Sequence, residues 1–404
     1  MSGNPQKFAV EKGFALRLAA FYAALFATLG VQLPFLPVWL AAKGLDASAI
    51  GLVLAVPMIL RVFAIPLAAH AADRRDALRG TIVIAAMVAV VGYGALGFAQ
   101  GLVAIMAVYA LASVAYAPVF LLTDAYALRG LGARGRAYGP VRLWGSAAFI
   151  VASFGAGALL DVIASRDLIW LIVAAMALAA ATACALTPLA RSDAQTPAAH
   201  PSAGALLRDP GFLVVAAAAS LVQASHALYY GFSTIDWQAA GFDGTTIGAL
   251  WALGVIAEIV LFALSTRLPF APTALILVGA VGALIRWSAM ALGPPSAALP
   301  FLQSLHALSF GATHLGALGF VMRAAPAGLA ATAQGYLAVA QGLAMTAATG
   351  LSGMLYGRYG TTAYGAMALA AAVGGLFALA AHRLSGRPNT SRRVRVPQDI
   401  SSAG

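Results

Sequence analysis

Gly44-Leu-Asp-Ala-Ser-Ala-Ile-Gly51 and Gly241-Phe-Asp-Gly-Thr-Thr-Ile-Gly248 are two versions of one octapeptide, 197 residues apart. Each reads as a tight turn followed by Ser48 or Thr245 in the N-cap position of a helix. Trp39 and Trp237 precede the two turns. Further along, Gly139 and Gly335 are 196 residues apart, and so are Gly157 and Gly353. Ordered matches at a nearly constant offset make the chain two copies of one unit.

Outward from the octapeptides the chain is almost continuously apolar. Of its 404 residues 62% are hydrophobic and only 9% charged, where a soluble domain has about 25% charged. With a mean hydropathy of +0.89, too little polar side chain exists to cover a surface in water. A soluble enzyme is excluded, as are a disordered or collagen-like chain.

A membrane helix needs about 20 apolar residues. Runs of that kind lie near 14–42, 48–72, 81–99, 101–128, 138–160, 168–187, 211–240, 245–265, 272–292, 296–322, 332–356 and 361–382. None alternates as a barrel strand would, and the first is too long for a signal-peptide core. The expected fold is all-α: twelve transmembrane helices in two pseudo-symmetric six-helix bundles, 1–187 and 211–384. Residues 188–210, rich in Ala, Pro and Ser, read as a cytoplasmic linker. Residues 385–404 read as a disordered basic tail. An even number of helices per unit gives both units the same topology, related by an axis along the membrane normal.

The net charge of +11 does not call for nucleic acid. With twelve helices, nineteen of the 24 Lys and Arg fall on one side, and only Lys43, Arg166 and Arg358 on the other; Arg61 and Arg286 lie within helices. The positive-inside rule then puts both termini in the cytoplasm of a bacterial inner membrane, with the chain as a monomer in the bilayer. The one cysteine, Cys184, allows no intrachain disulfide and no Cys-based metal site.

Charges at the centre of a membrane helix cost roughly 2.5–3.5 kcal/mol on insertion scales, so each needs a reason. Glu258 lies 13 residues past Thr245, about 20 Å deep at 1.5 Å per residue. Arg286 reaches a similar depth from the opposite side, and His226 and His306 are well inside their helices. These residues form either a structural ion pair or a site where proton and substrate compete. Arg61 stands 197 residues before Glu258, at the equivalent place in the first unit. Arg61, Glu258, Arg286 and His306 are therefore expected to line one central cavity, with Tyr22, Tyr229 and Trp144 as walls. Asp124 and Arg142 lie nearer helix ends. Arg142 beside Trp144 can hold a carboxylate bidentately and stack a ring. Asp236 reads as a solvated end residue.

No Walker A sequence, no Gly-x-Gly-x-x-Gly after a strand and no His-Glu-x-x-His occurs. No cofactor is expected, no metal and no catalytic residue. The loops leave no room for a nucleotide domain, so energy must come from an ion gradient or the substrate's own.

Three tracts carry a resemblance: Tyr138-Gly-Pro-Val-Arg-Leu-Trp-Gly145, the stretch Ser225–Gly241 with His226, Tyr229 and Tyr230, and Leu305-His-Ala-Leu-Ser-Phe-Gly-Ala-Thr-His314. With the degenerate loop Asp73-Arg74…Arg79, where Ala69 and Asp76 replace glycines, they resemble the major facilitator superfamily. Within it they resemble the phenylpropionate permease family, relatives of the oligosaccharide:proton symporters. The lactose permease pattern falls on Asp124, Arg142, Glu258, Arg286 and His306. Its second carboxylate, three residues after the histidine, falls on Ser309.

The resemblance implies a proton symporter. Arg142, Asp124, Trp144, Arg61, Tyr22, Tyr229 and His226 would bind substrate; Glu258, Arg286, His306 and His314 would couple the proton. The excess of buried Arg over Asp and Glu suits an organic anion, an aromatic carboxylate. Sugar or nucleoside uptake stays open, then drug export, then a non-transporting sensor.

Overall fold

The computed structural model describes residues 5–74, 77–189, 203–267, 270–325 and 329–385. Most of the expected linker and nearly all of the expected tail lie outside these residues. Among the described residues there is no strand, and eleven helical stretches are long and apolar enough to cross a membrane. The last, Ala330–Leu384, contains two helices separated by a short turn.

The twelve helices are α1 Pro5–Ala42, α2 Ala47–Arg74, α3 Leu78–Phe98, α4 Gly101–Gly132, α5 Gly139–Leu160 and α6 Leu168–Cys184, then α7 Pro210–Ala239, α8 Gly244–Leu264, α9 Pro272–Ala291, α10 Ser296–Ala324, α11 Ala330–Tyr359 and α12 Tyr364–Ser385. Prolines inside α1, α2 and α4 are tolerated because neighbouring helices and local adjustments re-satisfy the freed carbonyls. Outward faces are apolar: Val91, Val103, Leu111 and Val151 are each more than 70% exposed, as lipid-facing side chains must be.

The two octapeptides fold alike. Gly44 (φ 83°) and Gly241 (φ 85°) both take the left-handed conformation that ends the preceding helix. The caps differ from the sequence expectation. Asp46 accepts from the Ala49 amide at 2.8 Å and Asp243 from the Thr246 amide at 2.6 Å. The caps therefore lie two residues before Ser48 and Thr245, because α2 and α8 start earlier than the apolar pattern does.

Two helices are broken. In α7 the α-helix stops at Ala224 and resumes at Ala227, leaving Ser225 and His226 between. In α10 a π-helical turn, Ala307–Ala312, follows His306. Such widened turns occur mostly at functional sites.

Helices α1–α6 pack as one bundle and α7–α12 as another. Between them α2 lies on α11, α5 on α8, and α1 on the second part of α7. The repeat exchanges the first two pairs. At the end of the bundle away from the termini the contact is glycine on glycine. A methyl added to Gly51 would meet the Gly353 Cα at 2.7 Å, and one on Gly248 would meet the Phe154 Cα at 2.9 Å and the Ser153 carbonyl at 2.6 Å. A methyl on Gly157 would lie 2.9 Å from the Gly248 Cα. At the other end a methyl added to Gly139 or Gly335 would meet nothing within 4 Å, so the repeat's glycine contact is confined to the end away from the termini.

One polar clasp crosses the closed end. Asp161, just after α5, accepts from the Gly244 amide at 2.5 Å and from the Thr245 amide and hydroxyl at 3.1 and 3.0 Å. These amides begin α8, where no intrahelical partner exists. The same donors, the Gly244 amide foremost, hold the Asp161 carboxyl below the usual carboxylate range.

Candidate functional site

The breaks in α7 and α10 bring four buried polar side chains to α9. Arg286 is fully buried. Its Nη2 donates to Gln303 Oε1 at 2.7 Å, and its Nη1 to His306 Nδ1 at 3.1 Å and to Ser309 Oγ at 3.5 Å. A guanidinium only donates, so His306 Nδ1 accepts and the neutral ring carries its proton on Nε2. That nitrogen lies 3.7 Å from Glu258 Oε2.

The same reasoning fixes His226. Its Nδ1 faces the Val222 and Gln223 carbonyls at 3.2 and 3.1 Å, so it carries the proton there. Its Nε2 then accepts from the Ser309 hydroxyl at 3.0 Å. A directed chain results: Arg286 donates to Ser309, and Ser309 to His226. The position where the resemblance leads one to look for a carboxylate thus joins two helices by a hydroxyl.

Arg286 and Glu258 do not pair directly; His306 stands between them. The guanidinium is enclosed by the Tyr229 and Trp287 rings, each centroid 4.5 Å away, an arrangement that favours a desolvated cation. Tyr229 is therefore a wall of Arg286. His314 is exposed and lies against Phe310 and Phe262, centroids at 6.1 and 6.5 Å, outside the hydrogen-bonded chain.

A second cluster joins α1, α4 and α5. Asp124 Oδ1 accepts from the Tyr22 hydroxyl at 2.6 Å and the Tyr138 hydroxyl at 2.8 Å. The Arg142 guanidinium covers Phe26 at 3.9 Å and is 5.6 Å from the Tyr22 centroid. α5, which carries Arg142, packs on α8, which carries Glu258. Trp144 corrects the sequence expectation. It is 60% exposed, because two residues along a helix turn a side chain about 200° away from Arg142.

Between the halves lies a cavity of about 220 Å³, lined by Arg61, Gln32, Met58, Tyr109, Tyr116, Phe120, Tyr230 and Thr349 among others. Arg61 Nε is buried there without a hydrogen-bond partner. Glu258, Arg286 and His306 do not line it, so the expected four-residue cavity is divided. Tyr230 joins the parts, lining the cavity while its ring stacks on His226 at 5.8 Å.

Asp236 is half-buried, accepts from the Tyr356 hydroxyl and keeps its Oδ2 buried without a partner; it is not the solvated end residue expected. Sequence reasoning also missed Gln303, and met Tyr138 and Tyr230 only as members of the resembling tracts, with no role given to them. The signal for Gln303 was its place three residues before His306, on the same helix face. Among the described residues no group of three His, Cys, Asp or Glu could hold a metal ion.

The family model described as MFS_1 like family matches residues 15–365. The chain is 32% identical over 362 residues to a "Probable 3-phenylpropionic acid transporter" of Escherichia coli (strain K12), covering 88% of this chain and 94% of that protein. It is 30% identical over 347 residues to a "Maltose permease" of Geobacillus stearothermophilus, covering 84% and 87%. Among solved structures it is similar to the nucleoside transporter NupG, with a TM-score of 0.78 at 19% identity over 93% of this chain and all of that one. It is similar also to a bacterial homolog of the human lysosomal transporter Spinster, solved inward-facing and unoccupied, with a TM-score of 0.71 at 15% identity over 96% and 100%. These last two likenesses carry the fold alone.

Proposed function

The chain belongs to the MFS_1 like family and is a multi-pass membrane transporter, and from that premise we propose that it imports a small aromatic carboxylate together with a proton. The observation that carries the reading is the Glu258–His306–Arg286 chain. A carboxylate beside a histidine that an arginine holds keeps or releases a proton according to what faces it. α5 with Arg142 lies on α8 with Glu258, so the motion of the halves changes the charge that Glu258 meets.

The distribution of Lys and Arg supports termini in the cytoplasm of a bacterial inner membrane. On that orientation the close glycine contacts face outside. Rocking one half against the other then alternates access. The two bundles, 1–187 and 211–384, are the moving bodies, and a monomer suffices. Asp124, held by two tyrosines beside Arg142, positions α5 against α1.

The aromatic acid is supported by the similarity to the phenylpropionic acid transporter and by aromatic cavity walls around an arginine. A sugar is the second reading, on the similarity to maltose permease. Uptake into proteoliposomes decides between them. With the interior alkaline, the protein accumulates 3-phenylpropionate and not maltose. Glu258→Gln loses that accumulation and keeps exchange of internal for external substrate. A mutant that still accumulates would remove Glu258 from coupling.

A further inference from the structure

Arg61 and Arg286 lie deep within their spans and Arg142 in the first turn of α5, and two of the three are engaged. Arg286 has Gln303, His306 and Ser309 as acceptors. Arg142 lies over the Phe26 ring at 3.9 Å and beside Tyr22 at 5.6 Å. Arg61 differs. It lines the cavity between the halves, its Nε is buried with no acceptor, and no hydrogen bond or ion pair to a carboxylate is formed by it among the described residues. A guanidinium in a membrane interior is costly and is almost always paired. The counter-charge it lacks must be supplied by what enters the cavity.

We propose that Arg61 is the anchor for the substrate's carboxylate and the residue that selects acids over neutral analogues. This assignment rests on the aromatic-acid reading above. The planar fork of arginine receives a carboxylate through two parallel N–H donors. The rest of the wall is Tyr109, Tyr116, Phe120 and Tyr230 with Met58, which gives a phenyl ring faces and edges to pack against. Tyr230 also stacks on His226. A ring seated against Tyr230 is therefore one side chain away from His226, where the polar chain that ends at Glu258 begins. Arg61 and Glu258 occupy equivalent positions of the two repeats, so one position serves the anion in the first half and the proton in the second.

The test is binding to purified, detergent-solubilised protein of 3-phenylpropionate and its amide, which differ only in the charged group. Wild type binds the acid roughly 10- to 100-fold more tightly than the amide, the range of a charge-assisted pair. Arg61→Gln abolishes that preference, and Arg61→Lys restores it only in part. A variant that leaves Arg61 intact guards against misfolding. Met58→Cys, made in a Cys184→Ser background because Cys184 is exposed, reacts with a maleimide from inside the cavity, and the acid blocks the reaction where the amide does not. If Arg61→Gln keeps the preference, or the acid leaves Cys at position 58 reactive, Arg61 is not the anchor even though the acid binds. If wild type binds maltose and neither acid nor amide, both this assignment and the aromatic-acid reading fall.

Discussion

Ser309 carries a hydroxyl between two groups that could not otherwise meet. It accepts from Arg286 and donates to His226, and every one of the three is buried. Ser309→Ala leaves His226 Nε2 as a buried acceptor with no donor, at a cost of about 1–3 kcal/mol. The thermal unfolding midpoint in detergent should fall, while Ser304→Ala, an exposed hydroxyl bonded only within its own helix, should leave it unchanged. Sequence reasoning found Arg286, His306 and Glu258 from the price of burying charge, and found Ser309 only as a departure from a resemblance. It could not find the hydroxyl's partners, because they come from two other helices, 83 and 23 residues away in the chain. Trp144 shows the opposite failure. Adjacency in sequence suggested a pair with Arg142, and the helical turn separates them.

At the scale of helices, the apolar runs gave the twelve spans to within a few residues, since the bilayer thickness dictates their length. The breaks in α7 and α10 were illegible. Neither contains a proline at the break, and both are held by side-chain bonds from neighbouring helices. The seams α2–α11 and α5–α8 were legible in part. The repeated glycines were visible at Gly157 and Gly353, but nothing in the sequence said that each faces a glycine of the octapeptides. That packing has a measurable consequence. Gly248→Trp places a ring where a methyl would already lie 2.6 Å from the Ser153 carbonyl. The seam must open, and the equilibrium shifts toward halves parted at the end away from the termini. Reactivity of single cysteines introduced at that end should rise with little loss of substrate binding. Unchanged reactivity would show that the helices absorb the ring without parting.

For the molecule as a whole, two bundles and an exchange of seams follow from one octapeptide and its copy. What the copy does not reproduce is the clasp. The position equivalent to Asp161 is Gly357, 196 residues on, whose added methyl would meet only Ala47 and Ser48. One seam is pinned by a carboxylate; the other is packed, with only the Thr349 hydroxyl donating to Met58 Sδ at 3.7 Å across it. Because its carboxyl is held below the usual carboxylate range, Asp161 keeps its charge as pH falls from neutral to mildly acid. The clasp should yield only when the pH drops through that lowered value. The pinning also supplies a clock. The Gly244 and Thr245 amides have no partner inside their own half, so they are shielded from deuterium only while Asp161 covers them. The next amide, Thr246, is covered by Asp243 of its own helix and keeps time independently of the halves. The ratio of deuterium uptake at Thr245 to that at Thr246 therefore counts how often the far end opens, in unlabelled protein. It should climb in Asp161→Ala and whenever a ligand draws the two bundles apart there.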